Sequence, residues 1–197
     1  MLSSFQKMDV KILYFIDRYI RCSFLDKIMP IITGIGNGGI VWIFLSIYLI
    51  HSSDYRMEGY MVITSLVLTT ILGEGVIKHI IRRSRPLISK SKRTLLISRP
   101  MTYSFPSGHS ASSFAVAGIF ILMNSSISVY ITALAALIAF SRLYLDVHYP
   151  TDVLTGIILG LLCSIIVYNM FNNEVFEASV LDLKSIRVFI NLILLSK

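Results

Sequence analysis

The stretch SASSFAVAGIFILMNSSISVYITALAALIAFS, Ser110 to Ser141, contains no Asp, Glu, Lys or Arg. A helix needs about 20 mostly apolar residues to cross about 30 Å of hydrocarbon. This run is long enough for two short spans, with Asn124, Ser125 and Ser126 as the turn between them. Toward the C-terminus a further apolar run covers Val153 to Phe171. Toward the N-terminus, Tyr60 to Ile81 is apolar until Glu74 and Lys78, and Ile28 to Ile50 carries no charge at all. In that run Gly34, Gly36, Asn37, Gly38 and Gly39 are placed to bend a helix or to let another come close. The reading is an all-α, polytopic transmembrane helix bundle with five clear spans.

Composition agrees. Of 197 residues, 55% are hydrophobic and 15% charged, and the mean hydropathy is +0.74. Ordinary globular chains carry about 25% charged residues. The shortfall excludes a disordered chain, a solvent-facing coiled coil and a typical soluble enzyme. Residues 1–197 form a single integral-membrane domain in this reading. In residues 5–21, Phe5, Met8, Ile12, Phe15, Ile16 and Tyr19 fall close to a helical stripe opposite Lys7, Lys11, Asp17, Arg18 and Arg21. That pattern predicts an interfacial helix, with a sixth span as the alternative. The N-terminus shows no signal-peptide pattern, so the first span is expected to direct insertion. Residues 172–197 form a tail of unassigned role, in which Ile186 to Leu195 is apolar but too short to cross. Cys22 and Cys163 are too few for a disulfide framework and read as small packing residues.

The net charge of +7 comes from 18 Lys and Arg against 11 Asp and Glu. These basic residues lie mainly between apolar runs, where they meet headgroups, set topology or bind a phosphorylated substrate. Nucleic acid is therefore not an expected partner. A five-span path puts the N-terminus, the 82–107 loop and the 142–152 loop on one side of the membrane. The 51–59 loop, the Asn124 turn and the C-terminus fall on the other. The two loops richest in polar chemistry thus meet at one membrane face.

Three clusters lie there. In the first, Lys78 and Arg85 are seven residues apart, two turns of a continuing helix, while Pro86 disfavours helix at Arg85. Two cations on one face suit a phosphate, and Glu74, four residues before Lys78, is set to pair with it. In the second, Pro106-Ser107-Gly108-His109 precedes an apolar helix whose N-terminal amides favour an anion. Gly108 allows close approach, the Ser107 hydroxyl adds a donor, and His109 can supply a proton. In the third, Arg142 ends one helix, Pro150 starts the next, and His148 and Asp152 flank that start. A carboxylate on one imidazole nitrogen leaves the other free to attack. Taken singly, each cluster has a plainer reading: snorkelling cations with a salt bridge, a serine-capped helix start, and an aspartate facing a helix dipole.

Taken together, Lys78-x6-Arg85-Pro86, Pro106-Ser107-Gly108-His109 and Ser141-Arg142-x5-His148-x3-Asp152 resemble the type 2 phosphatidic acid phosphatase family, over about residues 78–152. That family shares its phosphate site with vanadium-dependent haloperoxidases and glucose-6-phosphatase. The resemblance implies that His148 attacks phosphorus to form a phosphohistidine, oriented by Asp152. It also implies that His109 protonates the departing oxygen. Lys78, Arg85, Arg142, Ser107 and Gly108 would hold the phosphate oxygens, with Glu74 supporting Lys78 and with no metal or cofactor.

The function expected is dephosphorylation of a membrane lipid phosphate: a polyprenyl diphosphate, phosphatidylglycerophosphate or phosphatidate. Arg82, Arg83, Lys90, Lys92 and Arg93 are candidates for favouring a diphosphate. The alternatives are a non-catalytic lipid-binding or transport protein of the same fold, a lipid phosphotransferase and, least of all, a haloperoxidase. Counting basic residues sets Lys7, Lys11, Arg18, Arg21, Lys27, Arg82, Arg83, Lys90, Lys92, Arg93 and Arg99 on the site's face. Arg56, Lys184, Arg187 and Lys197 lie on the other. Positive-inside reasoning would turn the site to the cytoplasm. The resemblance to bacterial lipid phosphatases instead implies a bacterial cell membrane protein with its site facing outward. The physiological lipid and the oligomeric state are not legible in the sequence.

Overall fold

A computed structural model describes residues 4–86, 96–98 and 100–173. The 172–197 tail beyond Asn173, and with it Ile186 to Leu195, lies outside the described residues. So do Lys90, Lys92, Arg93, Arg99, Lys184, Arg187, Lys197 and the side chain of Phe5. Seven helices make up the described chain. They are α1 (Ser4–Phe15), α2 (Ser23–Ile35), α3 (Ile40–His51), α4 (Arg56–Ile81), α5 (Gly108–Leu122), α6 (Ser128–Tyr144) and α7 (Pro150–Asn172).

The charge-free run is the centre of the bundle. On α5, Ala111, Ala115, Val116, Ala117 and Ile119 are almost fully buried, as expected of a helix apolar on every side. It packs against α4, α6 and α7. The α5–α7 contact is close because both faces are small. A Cβ on Gly156 would lie 2.6 Å from the Ser107 carbonyl oxygen, and one on Gly160 would lie 2.7 Å from the Ala115 amide nitrogen. Around this seam Trp42, Met61, Val62, Leu66, Ile119, Phe120, Ile138 and Val167 form the main core, and the Trp42 Nε1–H donates to Ser113 Oγ across 3.1 Å.

The outer face of α7 is more apolar than its inner one. Leu154, Ile158, Leu162, Ile166 and Met170 point outward, whereas Gly156, Gly160, Cys163 and Ser164 point inward. Burying small residues and exposing large apolar ones suits a helix surrounded by lipid. Among the described residues, two helices, α4 and α7, are long and apolar enough to cross a membrane. The α2–α3 pair counts as a third if it is one bent span. The bend of 42° falls at the predicted glycines, where Gly38 and Gly39 adopt φ of 59° and 69°. At 15 and 17 residues, α5 and α6 fall short of the usual length. Helix length therefore supports two or three of the five crossings expected.

The N-terminal helix differs from its reading. Its buried face is Asp9, Leu13 and Ile16, while Met8, Ile12, Phe15 and Tyr19 are exposed. Among the described side chains of the expected apolar stripe, only Ile16 packs inward. The reason is polar: Asp9, fully buried, docks the helix on the start of α7. Cys163 is buried as a packing residue should be, but Cys22 is exposed.

Candidate active site

Four segments converge at one end of the bundle: the end of α4 with residues 82–86, residues 102–109 leading into α5, the α6–α7 turn, and α1. Within α4 the helix widens to a π-turn over Ile71–Ile77, a device often found at functional sites. Just beyond it Lys78, buried, donates from Nζ to both Glu74 oxygens at 2.7 and 2.6 Å, the predicted pair. The helix does not continue to Arg85 as the seven-residue spacing suggested. It ends at Ile81, because Arg82 turns left-handed (φ 48°), and residues 82–86 form a loop.

Arg85 nevertheless reaches the site from that loop. Its Nε donates to the Thr102 carbonyl at 2.9 Å, and its Nη1 to the Val147 carbonyl at 2.8 Å. The same Nη1 lies 3.0 Å from Nε2 of His148. On the other side of that ring, Nδ1 lies 2.7 Å from the Ser104 carbonyl. A carbonyl only accepts and a guanidinium only donates, so the network assigns the proton to Nδ1 and the lone pair to Nε2. Burial, reinforced by Arg142 and Arg85, pushes the His148 imidazole from 6.5 down to about 4, although Asp152 opposes this. The ring is therefore neutral near pH 7.

Asp152 does not bond His148 as directly as the sequence suggested. Its Oδ2 stands 3.7 Å from Nδ1 and accepts instead from the Tyr149 amide at 2.9 Å. Its Oδ1 accepts from Arg83 at 2.6 Å. The cause is local: Asp152 sits in the first turn of α7, where it caps the Tyr149 amide. The nearer partner of Nδ1 is thus a main-chain carbonyl, with the carboxylate just behind it.

Lys78, Arg85, Gly108, His109, Arg142 and His148 line one cavity of about 830 Å³. Ser107 and Asp152 stand behind its wall. Ser107 is fully buried, and its Oγ accepts from the Ser110 amide at 3.4 Å and the Ser110 hydroxyl at 2.9 Å. It is the helix cap, which leaves the first-turn amides of Gly108 and His109 without intrahelical acceptors. Glu74 lies against Gly108, so closely that a Cβ there would collide with its Oε1. Arg142 is buried and bonds Thr33 Oγ1, while its Nε has no hydrogen-bond partner among the described residues. A buried guanidinium N–H without an acceptor is unfavourable, and an anionic oxygen would satisfy it.

Sequence reasoning missed four contributors. Thr33, at the end of α2, accepts from Arg142 through its hydroxyl and from His109 through its carbonyl. Ser104 contributes only main chain to His148, which no side-chain pattern reveals. Asp9 and Thr151 form a buried network with Arg83, whose guanidinium also covers the Tyr149 ring at 4.0 Å. Arg83 was expected among the cations facing a diphosphate. It is instead held by Asp9 and Asp152, which raise its pKa despite burial. Among the described residues, no group of three or more His, Cys, Asp or Glu is placed to hold a metal ion.

Cations and the amides of a helix N-terminus thus line a cavity in an apolar helical bundle. The chain belongs to the PAP2 superfamily, whose family model matches residues 59–176. It is 34% identical to the undecaprenyl-diphosphatase of Sulfolobus acidocaldarius over 61% of this chain, a match that spans only 58% of that protein's length. It is 33% identical to phosphatidylglycerophosphatase B of Bacillus subtilis, over 73% of each chain. Among solved structures, the crystal structure of Aquifex aeolicus LpxE superposes with a TM-score of 0.70 at 28% identity. That match covers 82% of this chain and 95% of the other.

Proposed function

We propose that the protein is a membrane lipid phosphate phosphatase that works through a phosphohistidine. The observation that carries this reading is the His148 ring, held with its Nε2 lone pair toward the cavity that Arg85, Arg142 and Lys78 line. The names of the relatives, an undecaprenyl-diphosphatase and a phosphatidylglycerophosphatase, support two substrate classes, polyprenyl diphosphate and phosphatidylglycerophosphate, and phosphatidate is the third that the sequence resemblance implies. Away from the cations the cavity runs along Ile43, Ile63, Leu66 and Ile71, an apolar arm suited to a lipid tail.

In the first step Nε2 bonds to phosphorus as the bond to the lipid oxygen breaks. The electron pair leaves on that oxygen, which takes a proton from His109. Arg85, Arg142, Lys78 and the Gly108 amide hold the remaining oxygens, and this positioning with charge stabilisation supplies most of the rate. Asp152 stabilises the imidazolium so formed. In the second step a water attacks phosphorus and gives its proton to His109. The P–N bond breaks, its electron pair returns to Nε2, and inorganic phosphate leaves.

The proposal includes five membrane crossings, α5 and α6 being short ones, and a site facing outward in a bacterial cell membrane. Two of the cations that weigh the charge count toward the cytoplasm are ion-paired in the fold, Arg83 with Asp9 and Asp152, and Arg21 with Asp17 and Asp26. The test is phosphate release by the full chain in detergent with the three lipid classes. Wild type should be active and His148→Ala inert; equal activity of the two would end the phosphohistidine reading.

A further inference from the structure

The carboxylate of Asp9 is fully buried, although it comes from the N-terminal helix and lies far from the motifs in sequence. It is also fully engaged. Its Oδ1 accepts from the Thr151 amide at 3.0 Å, and its Oδ2 from the Thr151 hydroxyl at 2.7 Å and from Arg83 Nη2 at 2.6 Å. The other arm of Arg83, Nη1, reaches Asp152 Oδ1 at 2.6 Å. One guanidinium therefore bridges two buried carboxylates, and the second of them faces His148.

We infer that Asp9 is a positioning residue for the phosphoryl transfer proposed above, acting through Arg83 to keep Asp152 both fixed in place and electrostatically uncompensated. The inference rests on that reading of the site. Its physical basis is charge counting. Arg83 paired with Asp152 alone would form a neutral couple, and a neutral couple does little to stabilise an imidazolium. With Asp9 on its other arm, Arg83 divides one positive charge between two carboxylates, and the cluster keeps one net negative charge beside the ring. Arg83 thus holds the Asp152 carboxylate without cancelling its field. The device also explains why an exposed apolar helix carries an acid on its inner face.

Among the described residues, the other groups that act on the His148 ring are cations or histidine, Arg142 from α6, Arg85 from the loop after α4 and His109 from α5, while Asp146 in the α6–α7 turn acts on the neighbouring Tyr149. Lys78 is matched by Glu74. Among the described residues, the Asp9–Arg83–Asp152 cluster is therefore the source of the negative field that acts on His148 from its Nδ1 side.

The experiment compares Asp9→Asn, Arg83→Gln and the double variant with wild type, using the full chain in detergent. It reads melting temperature, kcat, KM and the acid limb of the pH profile for lipid phosphate hydrolysis. Asp9→Asn should lower kcat several-fold with little change in KM, and move the acid limb down by about half a pH unit. Arg83→Gln should move that limb up. The double variant restores the net charge, so its limb should return toward that of wild type. A purely structural role would lower the melting temperature without moving the limb in opposite directions. If Asp9→Asn melts below the assay temperature, the upward shift in Arg83→Gln and its reversal in the double variant decide the matter. Limbs identical to an active wild type overturn the role of Asp9 alone. A wild type that releases no phosphate from any of the lipids overturns the phosphatase reading, and this inference with it.

Discussion

Arg85 donates to Nε2 of His148 across 3.0 Å. The cation best placed to receive a phosphate thereby guards the lone pair proposed to attack it. The pair explains how a histidine can be buried, neutral and still aimed at the cavity. Its Nδ1–H donates to the Ser104 carbonyl, and its Nε2 lone pair accepts from Arg85 at the cavity wall.

The acid side of the pH dependence follows. The His148 imidazole sits at about 4 in the fold against 6.5 when exposed. Between these values the unfolded chain binds more protons than the native one, so stability rises with pH across the window and is lost as pH falls through it. Melting in detergent should drop between pH 6.5 and 4, and less steeply in His148→Gln. The kcat/KM profile should show an acid limb near 4. Parallel melting curves for the two proteins would refute the assignment.

Packing at the α5–α7 seam is a separate matter. Gly160 faces the Ala115 amide and the Phe114 carbonyl carbon at 2.7 and 3.0 Å from a would-be Cβ. Gly160→Leu must push two helices apart, at a cost of about 3 kcal/mol or more. Gly75→Ala has nothing within 4 Å and should be neutral or stabilising, by up to about 1 kcal/mol. Chemical denaturation of both variants, with wild type alongside, checks the contrast; equal stabilities would contradict the seam.

Glu74 lines the same cavity as the residues proposed to hold the phosphate. Its carboxylate takes two bonds from Lys78 and crowds Gly108. Vanadate, which resembles phosphorus in flight, must compete with that charge. Glu74→Gln should therefore tighten vanadate inhibition several-fold, even if turnover falls as Lys78 loses its anchor. Weaker inhibition would show that holding Lys78 outweighs repulsion.

Thr33→Val removes the hydroxyl that binds Arg142 and keeps the carbonyl that binds His109. With one buried guanidinium bond lost, kcat/KM should fall about 10-fold. Thr33→Ser should retain most of the activity. Equal losses in the two variants would mean that shape, not the hydroxyl, matters.

Much of the architecture was legible in the chain. The charge-free run read as two short helices joined by a turn at Asn124 to Ser126 because of its apolar length, and α5 and α6 are those helices. The Gly36–Gly39 break read as a bend because glycine is the residue at ease with the positive φ found there. Lys78 and Glu74 read as a pair because four residues make one helical turn. Other expectations failed where partners came from afar. The helix stops at Ile81, so Arg85 arrives by a loop stitched to Thr102 and Val147. Met8, Ile12, Phe15 and Tyr19 of the first apolar stripe face outward, because a buried acid, Asp9, governs how the helix docks.

What the sequence determined alone was periodic or local: apolar length, turn positions, helix caps and i,i+4 pairs, all set by neighbours within a few residues. Only the tertiary structure decided which nitrogen of His148 carries the proton, that Arg83 bridges Asp9 and Asp152, and that the N-terminal helix docks beside Thr151. Those outcomes depend on main-chain carbonyls and on contacts between residues up to 142 positions apart. No spacing rule encodes them, because they exist only once the helices have packed.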